Sequence, residues 1–183
     1  MIDFDDKKVL AMLADAAAYA AETRPMEVFN LCESPIEHRL LLGIWSFLCW
    51  PDKGELVTPT AFLSRLREAP TGKPVVAPQV VIGDYRVDIM IAMRSYDGEF
   101  YRLAVECDGH DFHEKTKRQA ARDKARDRAL VERNIAVLRF TGSEIHQAPS
   151  ECAYQISSLV HAERANRLYA EYAAGLRRQA VSP

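Results

Sequence analysis

At 183 residues, with 48% hydrophobic and 27% charged residues, the chain has the length and composition of one ordinary globular domain with a sizeable core. A formal net charge of −2 excludes a global basic field, so any contact with nucleic acid must come from a local patch. Cys32, Cys49, Cys107 and Cys152 form no C-x-x-C pair, which argues for reduced, mostly buried thiols and against a disulfide framework or a zinc site.

The chain opens without a signal-peptide pattern, and its longest apolar run, Leu40 to Trp50, is too short to cross a bilayer. A cytoplasmic protein with no membrane partner is expected. Asp3 to about Glu22 reads as an amphipathic helix with Val9, Leu10, Leu13 and Ala17 as its apolar stripe and Pro25 as the break after it. A second helix starts at Ser34-Pro35-Ile36-Glu37 and runs to about Cys49, with Ser34 as N-cap, Pro35 at N1 and Glu37 closing a capping box. Leu40, Leu41, Ile44, Trp45 and Leu48 should be core, and His38 a surface residue. The stretch from Pro51 to Pro78, with prolines 59, 70 and 74 between them, reads as an irregular insertion. A short helix from Thr60 to about Glu68 should interrupt it, with Phe62, Leu63 and Leu66 inward.

The stretch from Gln79 to Asp108 organises the rest. Gly83-Asp84 is a two-residue hairpin turn that pairs Ile82 with Tyr85 and sets Gln79 opposite Asp88. Tyr85, Val87, Ile89 and Ile91 then share a buried face, with Asp88 pointing away from it. On the next strand Tyr101, Leu103, Val105 and Cys107 line one face, and Arg102, Ala104, Glu106 and Asp108 the other. A plain Asp97-Gly98 turn would pair Asp88 with Cys107. A three-residue loop, Tyr96-Asp97-Gly98 with Gly98 left-handed, pairs Asp88 with Glu106, and this second register is the expected one. Two unit charges about 4 Å apart repel by roughly 4 kcal/mol at an effective dielectric near 20. Clustering Asp88, Glu106 and Asp108 therefore calls for a cation or a shared proton. Hard oxygen donors in that number suit Mg²⁺. Strand-end carboxylates facing solvent, or paired with Arg86 and Arg102, are the plainer reading.

From about Glu114 to Arg133 the pattern is helical, with eight basic residues against four acidic ones between His113 and Arg133. Most of these charges belong to a solvated face. Asp123 and Asp127 lie near the inward stripe marked by Leu130 and are placed to hold Arg139 or orient a histidine. Ile135 to Phe140 reads as a strand running parallel to the one before the helix. Thr141 to Pro149 reads as a loop, and Ser150 to about Arg178 as a long helix apolar at Ile156, Leu159, Val160, Leu168, Tyr169 and Tyr172.

Five segments taken in order resemble the PD-(D/E)xK nuclease superfamily. They are S-P-I-E-H-R-L-L, Q-V-V-I-G-D-Y-R-V-D-I, A-V-E-C-D-G-H-D-F-H, R-D-K-A-R-D-R-A-L and N-I-A-V-L-R-F, spanning about residues 34–147. Within the superfamily they look most like bacterial domains of unknown function related to very-short-patch-repair endonucleases. The resemblance implies an α/β (α+β) fold: a restriction-endonuclease-like core with a mixed sheet of four or more strands flanked by helices. The N-terminal helix and the C-terminal helix (150–178) would be additions within one domain over 1–183.

It also implies divalent-metal-dependent cleavage of phosphodiester bonds in DNA, with Mg²⁺ as cofactor and Mn²⁺ as a substitute. Asp88 and Glu106 would bind the metal, Glu37 would join them through water, and Gln79 matches the glutamine that begins the hairpin. His113 resembles a histidine that serves as acid, base or phosphate contact. Asp108 stands where the superfamily pattern has lysine, and Lys115 or Lys117 is a candidate substitute. Lys115, Lys117, Arg118, Arg122 and Arg86 would hold DNA phosphates. The alternative is a catalytically inactive nuclease-like module that binds nucleic acid or a protein. The oligomeric state is open, with a homodimer among the options.

Overall fold

The computed structural model describes residue 11 and residues 25–51, 53–95, 98–109 and 117–181, without the side chains of 25, 117–120, 167 and 170–181. The expected helix from Asp3 to Glu22 lies outside the described residues, apart from the helical residue 11. The elements in order are α1 (Pro25–Phe29), α2 (Pro35–Leu48), β1 (Glu55–Leu56), α3 (Phe62–Glu68), β2 (Pro74–Ile82), β3 (Tyr85–Arg94), β4 (Phe100–Asp108), α4 (Lys117–Val131), β5 (Ala136–Thr141), α5 (Gly142–Gln147) and α6 (Pro149–Val181). Among the described residues no helix is long and apolar enough to cross a membrane.

The strands form one mixed sheet in the order β1-β2-β3-β4-β5. An antiparallel meander, β2-β3-β4, makes its centre, and β1 and β5 add to it in parallel. The β4–α4–β5 unit gives the expected parallel pair, because a helical crossover returns the chain in the same direction. Both sheet faces are covered. Ile89, Ile91, Leu103 and Val105 pack against Leu40, Leu41 and Ile44 of α2 and Ile156 and Val160 of α6. Val75, Ala77, Met90 and Ala104 pack on the other side with Phe62 and Leu66 of α3 and Leu130 of α4. Helices α2 and α6 approach closely at Gly43, where an added Cβ would lie 2.7 Å from the Ala153 Cβ.

Several expectations need correction. Residues 74–78 are strand, not irregular chain. Pro74 is the first residue of β2, and Pro78 lies beyond Val75 and Val76, the only residues that β1 pairs, so both occupy positions a strand tolerates in proline. Leu63 faces outward at 63% exposure while Phe62 and Leu66 face inward. Pro25, expected as the break after the first helix, is the first residue of the short helix α1, and the chain before it lies outside the described residues, apart from residue 11. His38 is half-buried with its ring edge-on to Phe29. Thr141 to Pro149 contains α5, opened by a capping box in which Thr141 and Glu144 bond reciprocally. On α6, Ile156 and Val160 are buried, but Leu159, Leu168 and Tyr169 are exposed, and the Tyr172 side chain lies outside the described residues.

Candidate active site

The β3–β4 register runs from Arg94↔Phe100 to Ile89↔Val105. The same offset sets Asp88 against Glu106, as the three-residue loop requires. Ser95 N–H donates to the Glu99 carbonyl at 2.7 Å, and Gly98 has a left-handed φ of 86°. Tyr96 and Asp97 of that loop lie outside the described residues. Beyond Ile89 and Val105 the pairing stops, and the Asp88 carboxylate sits in the gap: its Oδ2 accepts the Cys107 N–H at 2.8 Å. A side chain has taken a donor that a regular ladder would give to a backbone carbonyl.

The same level is interrupted on β2. Pairs flank Gln79 on both sides, Pro78↔Ile89 and Val80↔Val87, but Gln79 itself is skipped and has φ 55°. Gln79 therefore stands at Asp88's position in the register without pairing to it. A left-handed non-glycine costs about 1–3 kcal/mol and persists only where its surroundings fix it. The interruption also reverses the alternation: Val80 and Val87 pack in the core that holds Met90 and Ala77. Val87 was expected to share a face with Ile89 and Ile91, which lie in the other core.

Glu37 holds Gln79. The first turn of α2 buries the Glu37 side chain, whose Oε2 accepts from Gln79 Nε2 at 2.7 Å and from Glu33 N at 2.9 Å. Its Oε1 accepts from Ser34 Oγ at 2.7 Å, and Ser34 Oγ in turn accepts the Glu37 N–H. This is a modified capping box: the carboxylate reaches the backbone of Glu33, one residue before the N-cap. Gln79 Oε1 is buried with no hydrogen-bond partner among the described residues. Near them the Cys32 thiol is pushed up to about 12 by burial, by Glu37 and by Asp88, so it stays protonated.

Glu106 is 3% exposed and accepts from Arg126 Nη2 at 2.5 Å. Burial, then Asp88, raise its pKa to about 7, with Arg126 and Arg139 working in the opposite direction. Asp88 is raised as well, first by burial. The Cys107 N–H and Arg126 favour its charged form, while Glu37 and Asp108 oppose it. Asp108 is half-buried beside Arg139, at 3.4 Å from Nη1, and Arg139 Nη2 donates to Asp127 at 2.5 Å. The expected Asp127–Arg139 pair is thus present. Burial disfavours the Arg139 charge, but Asp127, Asp108 and Glu106 more than offset it. Arg126 also donates to the Arg86 carbonyl and so ties α4 to β3.

Asp88, Glu106, Asp108, Glu37 and Gln79 are therefore brought to one end of the β2–β4 meander. Among the described residues no three His, Cys, Asp or Glu side chains are close enough to form a ready metal cage. His113 and Lys115 lie outside the described residues; Lys117 and Arg118 open α4, with side chains not described. Arg122 is exposed, and Arg86 is exposed and paired with Glu33. Arg102 does not join the carboxylates; it lies 5.4 Å over the Phe100 ring. Sequence reasoning missed Arg126 as a site residue. The signal was present, since Arg126 precedes the buried Leu130 by four and so shares its helix stripe.

The family REase_MTES_1575, a restriction-endonuclease-like family, matches residues 62–160. This chain belongs to that family. The matched span, more than half the chain, carries Gln79, Asp88, Glu106, Asp108, Arg126 and Arg139 but not Glu37. Its mixed sheet with helices on both faces is the expected fold class. The match supports the PD-(D/E)xK-like assignment without extending to the very-short-patch-repair branch. No curated protein and no solved structure matches the chain. Family membership points to nuclease activity.

Proposed function

We propose that the protein is a divalent-metal-dependent endonuclease that hydrolyses phosphodiester bonds in DNA. One observation carries this reading: just beyond the last β3–β4 pair, Ile89↔Val105, the register brings Asp88 level with Glu106, and burial raises the pKa of both carboxyls there. Such a pair gains from a cation.

The donors suit Mg²⁺, with Mn²⁺ as a substitute. Asp88 and Glu106 offer hard oxygens, and Gln79 Oε1 is a buried acceptor lacking a donor among the described residues. Mg²⁺ takes one or two carboxylates and completes its shell with waters and substrate phosphate oxygens, so a three-carboxylate cage is not required. Asp88 and Glu106 would hold the ion, which when bound lowers the pKa of a coordinated water and offsets phosphate charge. The chain's own residues do the positioning. Glu37 fixes Gln79, the Cys107 N–H fixes Asp88, and Arg126 fixes Glu106. Arg126 and Arg139 supply the positive charge that the superfamily pattern draws from a lysine at position 108. Arg122, with Lys115, Lys117 and Arg118, would hold backbone phosphates without reading sequence. His113 would serve as acid, base or phosphate contact.

The test is cleavage of plasmid and oligonucleotide DNA with Mg²⁺ or Mn²⁺, beside Asp88→Asn and Glu106→Gln. Both variants should lose cleavage and keep DNA binding; equal cutting by all three proteins defeats the reading. A second reading, a non-catalytic DNA-binding module, draws on the arginines already paired with Glu106 and Asp108. Metal-independent binding without turnover, unchanged by Asp88→Asn, would select it.

A further inference from the structure

Between α3 and the sheet lies an open cavity of about 560 Å³, walled by Leu63, Leu66, Met90 and Phe100 among others. It holds two cations, Arg67 and Arg102, and it includes Gln79, the residue that Glu37 fixes beside the carboxylates. Met90, in its wall, is two residues from Asp88 along β3, about 7 Å of strand. Two large apolar side chains in its lining are left uncovered, Leu63 at 63% and Val81 at 67% exposure. Uncovered apolar surface around a concavity marks a binding site.

We propose that this cavity seats an unpaired nucleobase of the substrate, so that the enzyme acts on nucleic acid with unpaired nucleotides next to the scissile phosphate. The inference rests on the nuclease reading above for the place of the phosphate. A phosphate at Asp88 and Glu106 carries a base within one nucleotide's reach, and Met90 and Gln79 are that close. A base has apolar faces that suit this apolar wall, in which Arg102 already lies over the Phe100 ring, and the backbone beside the base carries the anion that Arg67 and Arg102 complement. The volume lies within the usual range for small-molecule sites, roughly 300–1,000 Å³. A base inside an intact duplex has both faces covered and cannot enter unless it is extruded. An apolar protein segment would fill the walls but bring no anion for the arginines.

The test uses an oligonucleotide with 2-aminopurine at one position, as a single strand and within a duplex, titrated with the protein in EDTA. Binding of the single strand should raise 2-aminopurine emission as the base leaves its neighbours and enters the cavity; the duplex should give no rise. Leu63 and Val81 are surface residues, so Leu63→Glu/Val81→Glu should fold, which its melting temperature checks. It should abolish the rise and weaken single-strand binding by roughly 5- to 150-fold, the loss of one stacked base. Leu63→Phe should keep both. A silent probe at saturation, or a doubly substituted protein that binds and responds like wild type, overturns the proposal. Because no divalent ion is present, the titration is independent of cleavage. Cleavage with a silent probe removes the cavity's role alone; a responding probe without cleavage supports the seat and removes the nuclease reading.

Discussion

Replacing Glu106 with Gln should stabilise the metal-free protein at alkaline pH, although the residue is buried and hydrogen-bonded. The Glu106 carboxyl rises from an ordinary 4.5 to about 7 in the fold. At about 1.4 kcal/mol per pH unit, that interval amounts to about 3 kcal/mol. The sign follows from linkage. A raised acid binds its proton more tightly in the folded chain, so its contribution is complete below about pH 4.5 and is lost as pH climbs through about 7. The figure already contains the favourable pull of Arg126 and Arg139, so it is the net penalty for holding the charge. Gln keeps an acceptor for Arg126 Nη2 and cannot ionise. Urea unfolding in EDTA should therefore show similar stability for the two proteins near pH 5. By pH 8.5 the variant should be ahead by up to about 3 kcal/mol, a midpoint shift of roughly 1–2 M urea. Mg²⁺ at pH 8.5 should raise the wild type by about 2.7 kcal/mol at a hundredfold excess over its dissociation constant and leave the variant nearly unmoved. A variant less stable than wild type at pH 8.5, or a difference that does not grow with pH, would refute the account of Glu106.

Three further outcomes are expected. Glu37→Ala strands the buried Gln79 donor and breaks the part-buried hydrogen bonds from Glu33 N and Ser34 Oγ, and should cost roughly 1–3 kcal/mol by denaturant unfolding. Gly43→Val drives a side chain into Ala153, 2.7 Å from an added Cβ, and should lower stability by roughly 1–3 kcal/mol, read as a fall in melting temperature. Arg139→Ala removes the cation between Asp108 and Asp127 and should destabilise at neutral pH. Asp108→Asn in that background should recover part of the loss, and a double-mutant cycle without coupling would count against the pairing.

What the sequence disclosed about the fold was governed by local chemistry. The Gly83-Asp84 turn fixed Ile82 opposite Tyr85, and the Ser34 cap fixed the start of α2, because each is decided within a few residues. A three-residue loop ending in left-handed Gly98 similarly set the β3–β4 offset on which the site depends. The failures were also local. Pro74 and Pro78 read as breakers in the sequence, although the first position of a strand and a stretch beyond the short pairing with β1 accept them. Helix α5 was hidden in an assumed loop, although Thr141-x-x-Glu144 announces it. No local rule predicts the left-handed backbone at Gln79, because the partner that holds it, Glu37, lies 42 residues earlier.

The positive charge at the site shows where sequence reading ends. A charged helix such as α4 has a phase that composition alone leaves open, and most of its basic residues fit a solvated face. Packing resolves the phase: Leu130 is fully buried in the second core, which turns Arg126 toward Glu106 and Asp127 toward Arg139. Strand β5 contributes through its parallel register, which sets Arg139 beside Glu106 and within reach of Asp108. On the proposed nuclease reading, the aspartate at position 108 goes with cations supplied from the α4–β5 unit that follows β4. One crossover then both anchors in the second core, through Leu130, and supplies counter-charge for the carboxylates, so loosening α4 should disturb the acid pair even where no carboxylate is touched.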